Sequence, residues 1–139
     1  RIDGQKIWKT PTTLILELFT KYHKGKILKT SVDSPTFSSP KIGKQPIYKE
    51  NKLISASATY DQKQVCLSIV NKSEKESLII SIPTHKKIIE SYLVNGNSPT
   101  DMNDKKNLEK VYIKKNKLKC GKDYIKVPPH SFSLLLIKV

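Results

Sequence analysis

Acidic and histidine side chains are the residues that could support catalysis, and in this chain they stand apart from one another. Glu17 is the acid best placed for general acid–base chemistry, but it falls on the polar flank of a predicted helix, where solvation accounts for it. His23, His85 and His130 are far apart in sequence, with no carboxylate or cysteine at metal-ligand spacing. We therefore predict structural roles for the three histidines, with His23 interacting with the dipole at the end of the helix.

The two cysteines, Cys66 and Cys120, lack the neighbours that a metal site requires. Neither stands in a CxxC, CxxH or HxxxH pattern, so we predict no metal site and no cofactor. Two cysteines in 139 residues do not make a disulfide scaffold. Whether they form a single bridge stays open at this point, as does the redox compartment.

Aromatic side chains could form a platform on which sugar rings stack, because carbohydrate-binding modules use exposed aromatic faces. The chain has one tryptophan, and it precedes the predicted helix. We therefore predict packing in the core or in an interface for the tryptophan and the tyrosines, which are Trp8, Tyr22, Tyr48, Tyr60, Tyr92, Tyr112 and Tyr124.

Positive charge dominates the composition. The chain has 26 basic and 12 acidic residues and a formal net charge of +14, a balance that raises nucleic-acid binding as a hypothesis. Only Arg1 is an arginine, whereas contacts with bases and phosphates favour the planar arginine fork. The lysines are spread singly over nearly every segment, so we predict a solvated outer surface and no nucleic-acid partner.

Neither a membrane span nor a signal peptide is visible in the sequence. No apolar run approaches the length that crosses a bilayer, so we predict no membrane partner. The first residues, RIDGQKIW, lack the charged-then-apolar build of a signal peptide and read as a truncated N-terminus. Localisation stays unknown on this evidence, with a cytoplasmic location favoured over a secreted one.

The pattern of residues 10–25 predicts one amphipathic helix, and this helix carries Glu17 and His23. Thr10 suits the N-cap and Pro11 the first helical position. Gly25 supplies the left-handed residue that ends such a helix. The apolar side chains fall at i, i+1, i+4, i+5 and i+8 and make one stripe, which consists of Leu14, Ile15, Leu18, Phe19 and Tyr22.

The rest of the chain shows short apolar runs and turns at a spacing of roughly ten residues, which is typical of a sandwich or barrel. Residues 53–60 alternate strictly and are followed by a polar turn and a second strand at 65–70, which predicts an antiparallel hairpin. Residues 131–139 form an apolar strand that needs cover on both sides or a partner along its edge. The predicted fold is mainly β: an antiparallel β-sandwich, jelly-roll-like, preceded by one amphipathic helix.

Segments rich in serine, proline or polar residues predict loops. Residues 34–46 are expected to hold no regular element, and residues 98–110 are expected to form a long loop. Shorter strands are predicted at 26–32, 78–82, 88–94, 111–113, 117–120 and 124–127.

Three stretches of the sequence together carry a resemblance to a known family. They are DGQKIWKTPTTLILELFTKYHKG with SVDSPTF after it, then LISASATYDQKQVCLSIVNKS, and finally VPPHSFSLLLIKV. On these motifs, which stand in the correct order and run nearly end to end, the chain resembles the C-terminal β-sandwich domain of α-L-arabinofuranosidases of glycoside hydrolase family fifty-one.

The chain departs from the family pattern at two places. Thr13 stands where the family commonly has an aromatic residue. Residues 102–106, from Met102 to Lys106, align with a loop that usually reads Asn-Thr-Phe-Glu, and of that motif only Asn103 is kept. A role of this loop in contacting the barrel or a neighbouring subunit is therefore not carried over.

The resemblance implies a parent enzyme with a (β/α)8 barrel. Such an enzyme removes terminal α-L-arabinofuranosyl groups from arabinose-containing polysaccharides and oligosaccharides with retention of configuration. The reaction needs two carboxyl groups about 5 Å apart, and in the family both glutamates lie on barrel strands upstream of the position where this chain begins. No catalytic residue is therefore carried over, and the chain alone is not expected to hydrolyse a glycoside.

The resemblance also implies a domain organisation and partners. Residues 1–25 would be the end of the preceding catalytic-domain region, and residues 26–139 the C-terminal β-sandwich domain. The implied partners are the chain's own barrel, arabinose-containing glycans through the parent enzyme, and further copies in a homo-oligomer.

Two other classes of function are kept as alternatives. A free-standing carbohydrate-binding β-sandwich module would be retained on arabinan or arabinoxylan and would lose that retention when one surface tyrosine is replaced. A lysine-rich nucleic-acid-binding domain would show binding that weakens steeply with salt.

Overall fold

A computed structural model describes residues 1–82, 87–121 and 123–139, and within them the chain forms thirteen strands and one helix. The first half contains β1 (Ile2–Asp3), β2 (Lys6–Ile7), α1 (Pro11–Tyr22), β3 (Lys26–Leu28), β4 (Thr36–Ser39), β5 (Tyr48–Lys52), β6 (Ile54–Asp61) and β7 (Gln64–Asn71). The second half contains β8 (Leu78–Ser81), β9 (Ile88–Val94), β10 (Ile113–Lys115), β11 (Lys119–Cys120), β12 (Tyr124–Val127) and β13 (Ser131–Lys138). The fold is mainly β, as predicted.

Two antiparallel sheets form the sandwich. The larger has six strands in the order β10-β9-β13-β7-β6-β3, and the smaller has three in the order β11-β12-β8. Strands β1 with β2 and β4 with β5 make separate two-stranded hairpins. The core between the two larger sheets is apolar and consists of Ile54, Ile69, Ile125, Val127, Leu135 and Ile137.

The last strand, β13, lies in the middle of the six-stranded sheet. It pairs with β7 on one side and β9 on the other, and seven consecutive residues from Ser131 to Ile137 are buried. Successive side chains of a strand point to opposite faces of the sheet. Leu134 accordingly packs in one core and Leu135 in the other, which confirms that this apolar strand is covered on both faces.

Helix α1 covers the outer face of the six-stranded sheet and makes a third layer. The Thr10 hydroxyl accepts a hydrogen bond from the Thr13 N–H at 3.3 Å, which confirms the predicted N-cap. Leu14 and Leu18 are buried in a core with Tyr92 and Phe132. Ile15 and Tyr22 are partly buried against the same core, so four of the five residues of the predicted stripe pack on the sheet, and Phe19 is 38% exposed.

The helix ends at Tyr22, earlier than the sequence predicts. His23 already has an extended conformation (φ −77°, ψ 93°), and β3 begins at Lys26, which pairs with Tyr60. Gly25 has the expected positive φ of 74°, but it serves the turn into β3, where a Cβ atom would lie 2.3 Å from the Tyr60 carbonyl oxygen. The pairing of β3 with β6 thus decides where the helix stops.

The hairpin of β6 and β7 is confirmed, with Asp61 opposite Gln64. Gln62 and Lys63 form the two-residue turn and have positive φ angles of 45° and 66°. These values match the primed turns whose twist suits the flanking strands.

Other predicted boundaries are also wrong: the strand predicted at 26–32 ends at Leu28, and the strand predicted at 117–120 begins at Lys119. Residues 34–46 were expected to hold no regular element, but β4 lies within them and pairs with β5 in a hairpin that serine and proline content does not reveal. The strand predicted at 111–113 begins only at Ile113, because Asn103 satisfies the backbone of Val111 in place of a neighbouring strand. Within the described residues, no helix has the length and apolar character needed to span a bilayer.

Candidate functional site

A groove of about 520 Å³ separates α1 from the part of the six-stranded sheet that the helix leaves uncovered. Ile15 and Phe19 line its helix side. Ser57 and Ser68 on β6 and β7, with Val70 beside them, line its sheet side. We call this feature the helix–sheet groove. Its walls offer apolar surface and hydroxyl groups, so the groove is suited to binding rather than to catalysis.

His130 lies at one end of the helix–sheet groove and connects two loops. Its Nδ1 is 3.1 Å from the carbonyl oxygen of Glu74, and its Nε2 is 3.2 Å from that of Gly96. The residue has a positive φ of 37° at the turn before β13. Both ring nitrogens therefore contact the backbone of the chain itself, which is a structural arrangement.

Asp101 lies at the same end and is held as an anion. Its carboxylate is 2.8 Å from the Lys110 ammonium and accepts hydrogen bonds from the N–H groups of Asn97 and Ser98 at 2.8 and 3.1 Å. The hydrogen bond from Lys110 is the largest of several causes that lower the pKa of Asp101. A general acid needs a raised carboxyl pKa, so Asp101 does not fit that role.

A cluster of titratable side chains joins α1 to β9. The hydroxyl oxygens of Tyr22 and Tyr92 are 2.5 Å apart, and the two rings stack with centroids 4.9 Å apart. Tyr92 donates to the carboxylate of Glu90, which also lies 2.9 Å from the Lys115 ammonium. We call these four residues the Glu90 network.

The protonation states of Glu90 and Tyr92 in the Glu90 network are fixed near neutral pH. The hydrogen bond from Tyr92, followed by that from Lys115, lowers the pKa of Glu90. Burial, followed by the hydrogen bond to Glu90, raises the pKa of Tyr92. The phenol therefore stays protonated and the carboxylate ionised, which locks the helix to the sheet and provides neither an acid nor a base near neutral pH.

The other acidic and histidine candidates lie apart from these clusters. Glu17 is exposed on α1 and pairs with the Lys9 ammonium at 2.6 Å. His23 stacks on Phe19 with ring centroids 4.0 Å apart, and its Nδ1 is 3.3 Å from the hydroxyl of Thr59. Burial lowers the pKa of His23. His85 lies outside the described residues.

Both cysteines are free thiols, so no disulfide joins Cys66 to Cys120. Cys66 is buried in the core beneath α1, and burial raises the pKa of its thiol to about 12. Burial also raises the pKa of Cys120. Reactive cysteines have lowered pKa values, so neither thiol has the character of a nucleophile. In the part of the chain that the structure describes, no group of three or more histidine, cysteine or acidic residues could hold a metal ion.

The aromatic side chains do not gather into one platform. Tyr92 is buried, and Tyr22 and Trp8 are partly buried. The exposed rings stand on separate elements, with Tyr48 on β5, Tyr60 on β6, Tyr112 just before β10 and Tyr124 on β12. Strands β6 and β10 are separated by three other strands of the six-stranded sheet, and β12 belongs to the other sheet.

Asn103 is a structural residue whose role the sequence did not reveal. Its side chain is buried, donates to the carbonyl groups of Lys9 and Val111 at 2.8 and 2.7 Å, and accepts from the Val111 N–H at 2.7 Å. It thereby ties the long loop at 98–110 to the segment that leads into α1. The only signal in the sequence was that Asn103 is the one residue of the family loop motif that the chain keeps.

Solved structures of arabinofuranosidases share the fold of this chain. The α-L-arabinofuranosidase of Thermotoga maritima, solved as an arabinose complex, superposes with a TM-score of 0.86 at 20% identity over 99% of this chain. The thermostable family fifty-one enzyme of Thermotoga petrophila RKU-1 gives 0.81 at 19% identity over 98% of this chain. The family fifty-one arabinofuranosidase of Xanthomonas axonopodis pv. citri gives 0.77 at 18% identity, also over 98%.

The chain spans less than a third of the length of these structures. It covers 31% of the Thermotoga maritima chain, 30% of the Thermotoga petrophila chain and 28% of the Xanthomonas chain. No curated protein sequence matches it.

The family model described as the α-L-arabinofuranosidase C-terminal domain matches residues 1–131. The match includes α1 and twelve complete strands of the fold described above. It confirms the resemblance that the three sequence stretches indicated. The chain therefore belongs to the family of α-L-arabinofuranosidase C-terminal domains.

Proposed function

We propose that this chain is the non-catalytic part of an α-L-arabinofuranosidase, a retaining glycoside hydrolase that removes terminal α-L-arabinofuranosyl groups from arabinose-containing polysaccharides and oligosaccharides. Its work is to pack on a catalytic (β/α)8 barrel and to support assembly of the enzyme. The family match over residues 1–131 carries this proposal.

The acidic residues of the described chain support a non-catalytic role. Retaining hydrolysis needs a nucleophile and an acid/base whose carboxyl groups are about 5 Å apart. Glu17, Glu90 and Asp101 each form an ion pair with a lysine. Each of these carboxylates is therefore engaged as a structural anion.

The first 25 residues are the part of the chain that we propose to face the barrel. The inner side of α1 packs on the sheet through Leu14 and Leu18, while Leu16 on its outer side is 57% exposed. In the hairpin of β1 and β2, Ile2 and Ile7 lie opposite each other and are 73% and 70% exposed. Exposed apolar groups of this kind mark interaction surfaces. In this proposal residues 1–25 form the junction and residues 26–139 the accessory sandwich.

The first experiment tests activity. We expect the purified 139-residue chain to release no 4-nitrophenol from 4-nitrophenyl α-L-arabinofuranoside, because the resemblance places both catalytic glutamates of the family on the barrel and because Glu17, Glu90 and Asp101 are held in ion pairs. Appreciable turnover by the chain would contradict the non-catalytic assignment.

The second experiment tests membership of a larger enzyme. Antibodies raised against the chain should detect in source cells a polypeptide of about three times its 15.8 kDa, since the chain covers 31% of the Thermotoga maritima enzyme. That polypeptide should copurify with arabinofuranosidase activity. Detection of a 15.8 kDa species alone would overturn the proposal.

The third experiment tests the junction within that larger enzyme. Leu16→Asp combined with Ile7→Asp should lower the midpoint of thermal unfolding and speed proteolytic separation of the chain from the barrel. Ile27→Asp is the control, because Ile27 is 88% exposed on β3 and lies outside the first 25 residues. Equal effects of both variants would exclude residues 1–25 as the contact surface.

A further inference from the structure

The outward face of the three-stranded sheet carries a small group of side chains in a fixed pattern. Strand register places Tyr124 opposite Ser81 and Lys126 opposite both Lys119 and Ile79. All five side chains are exposed, whereas Ile125 and Val127, which alternate with them on β12, are fully buried in the inter-sheet core. We call this surface the Tyr124 face; it consists of Ile79, Ser81, Lys119, Tyr124 and Lys126.

The ring of Tyr124 is 49% exposed at the start of β12. It lies against Gly121, where a Cβ atom would come within 2.2 Å of the ring, and the Gly121 N–H donates to the Tyr124 carbonyl at 2.8 Å. Because residue 121 is a glycine, the ring can lie over the backbone of this turn, whereas a larger residue would push the ring aside. The exposed part of the ring therefore offers an apolar surface that a sugar ring can cover.

Two lysines beside the ring lack a counterion within the described residues. Lys119 and Lys126 lie directly opposite each other on neighbouring strands, and neither forms an ion pair with a described carboxylate. Like charges in such cross-strand positions are destabilising. A negatively charged group bound between the two ammonium groups would relieve this repulsion.

We propose that the Tyr124 face binds a polysaccharide that carries uronic acid carboxylates. The apolar face of a pyranose ring covers the exposed ring of Tyr124, and Lys119 and Lys126 pair with a carboxylate. The Ser81 hydroxyl, which donates to the Asp123 carbonyl at 3.5 Å, accepts a hydrogen bond from a sugar hydroxyl. The formal net charge of +14 adds long-range attraction to such a polyanion. This inference goes beyond the proposed function and does not depend on it.

Other polyanions fit the Tyr124 face less well. Phosphate groups and bases favour the planar fork of arginine, and 25 of the 26 basic residues are lysines. A stable protein interface buries about 800 Å² on each partner with good shape complementarity, whereas this face consists of five side chains. A repeating polymer compensates for weak single contacts by presenting many equivalent units.

The test uses the 139-residue chain and affinity electrophoresis in gels that contain polygalacturonate, with neutral arabinan and single-stranded DNA as comparison ligands. We expect retardation by polygalacturonate and none by arabinan. Replacing Lys119 and Lys126 together by glutamine should weaken this binding about tenfold, because two ion pairs are lost. Tyr124→Ala should weaken it without changing the net charge.

The matched control is Lys41→Gln combined with Lys44→Gln, which removes the same charge from an exposed segment on another part of the chain. We expect the affinity of this control for polygalacturonate to change by no more than about twofold, while the Lys119 and Lys126 variant loses binding. This result would support the Tyr124 face. Equal losses in both double variants would show diffuse charge attraction and overturn the proposal. Preferential binding of DNA, or no retardation by polygalacturonate, would also overturn it. Circular dichroism of each variant establishes that the sandwich remains folded.

Discussion

At the scale of single residues, buried polar groups hold the loops of this sandwich to its strands. The amide of Asn71 donates to the carbonyl groups of Glu76 and Pro128 at 2.9 and 2.8 Å. The amide of Asn103 donates to the Lys9 carbonyl at 2.8 Å and so holds the segment that leads into α1. An unpaired buried polar group costs about 1–3 kcal/mol, so these two amides are expected to contribute strongly to stability.

Three buried side-chain atoms among the described residues lack a hydrogen-bond partner, namely Trp8 Nε1, His23 Nε2 and Ser133 Oγ, and Ser133 gives a prediction. Its side chain is fully buried on β13, and its hydroxyl has no hydrogen-bond partner among the described residues. Ser133→Ala should therefore leave the free energy of unfolding unchanged or raise it by up to about 1 kcal/mol. Urea unfolding of the purified chain measures this change.

Ser131 offers a matched control in the same strand. Its hydroxyl donates to the Pro128 carbonyl at 2.7 Å, so Ser131→Ala should lower the free energy of unfolding by about 1 kcal/mol. A comparable loss on Ser133→Ala would show that the Ser133 hydroxyl has a partner.

At the scale of elements, the outer sheet face and α1 stabilise each other. Leu18 is 3% exposed and packs with Tyr92 and Phe132, whereas Leu16 on the same helix is 57% exposed. Leu18→Ala should lower the free energy of unfolding by about 2–5 kcal/mol because it leaves a cavity. Leu16→Ala should change it by less than about 0.5 kcal/mol. Equal effects of the two variants in urea unfolding would mean that α1 does not dock on the sheet as described.

The turn from α1 into β3 gives a second prediction at the scale of elements, which concerns the stability of a Gly25 variant. Gly25 and Gly43 both have positive φ, of 74° and 58°, but only at Gly25 does a Cβ atom meet other atoms, namely the Tyr60 carbonyl oxygen and the Asp61 Cβ. Gly43→Ala should cost about 1–2 kcal/mol from the backbone conformation alone. Gly25→Ala should cost clearly more, since the pairing of Lys26 with Tyr60 holds the colliding backbone in place. Thermal unfolding of the two variants compares these costs, and equal losses would contradict the close approach.

At the scale of the whole molecule, the excess of positive charge should make the folded chain less stable at acid pH. The pKa values of three carboxyl groups are lowered in the folded chain, chiefly by a hydrogen bond from Tyr92 to Glu90, from Lys110 to Asp101 and from the Asn107 backbone N–H to Asp104. In the unfolded chain these groups return to their ordinary pKa values of 4.5 for Glu and 3.8 for Asp.

The sign of the pH dependence follows from this difference. Below about pH 4.5 the unfolded chain binds more protons than the folded chain, so the free energy of unfolding falls as the pH decreases through the lowered pKa values. Urea unfolding between pH 3 and 7 should show this loss, and Glu90→Gln should reduce its size. Glu109→Gln is the control, because Glu109 is exposed and forms no hydrogen bond with the described residues. A pH dependence that is unchanged in Glu90→Gln would contradict the assignment.

Local patterns determined a large part of this protein. The cap at Thr10, the hairpin of β6 and β7, and the apolar run of β13 all depend on residues close in sequence, and all three are confirmed. The family could also be recognised from three short stretches, because their order and separation persist in the sequence.

The tertiary structure alone decided which surfaces meet. The sequence left open whether the stripe of α1 packs on the sandwich or stays exposed, and the structure places Leu14 and Leu18 on the sheet while Leu16 faces outward. It also brought Tyr22 to Tyr92 across 70 positions and separated Cys66 from Cys120 as free thiols. Such contacts depend on the packing of distant segments, so periodicity and composition, which describe one segment at a time, could not reveal them.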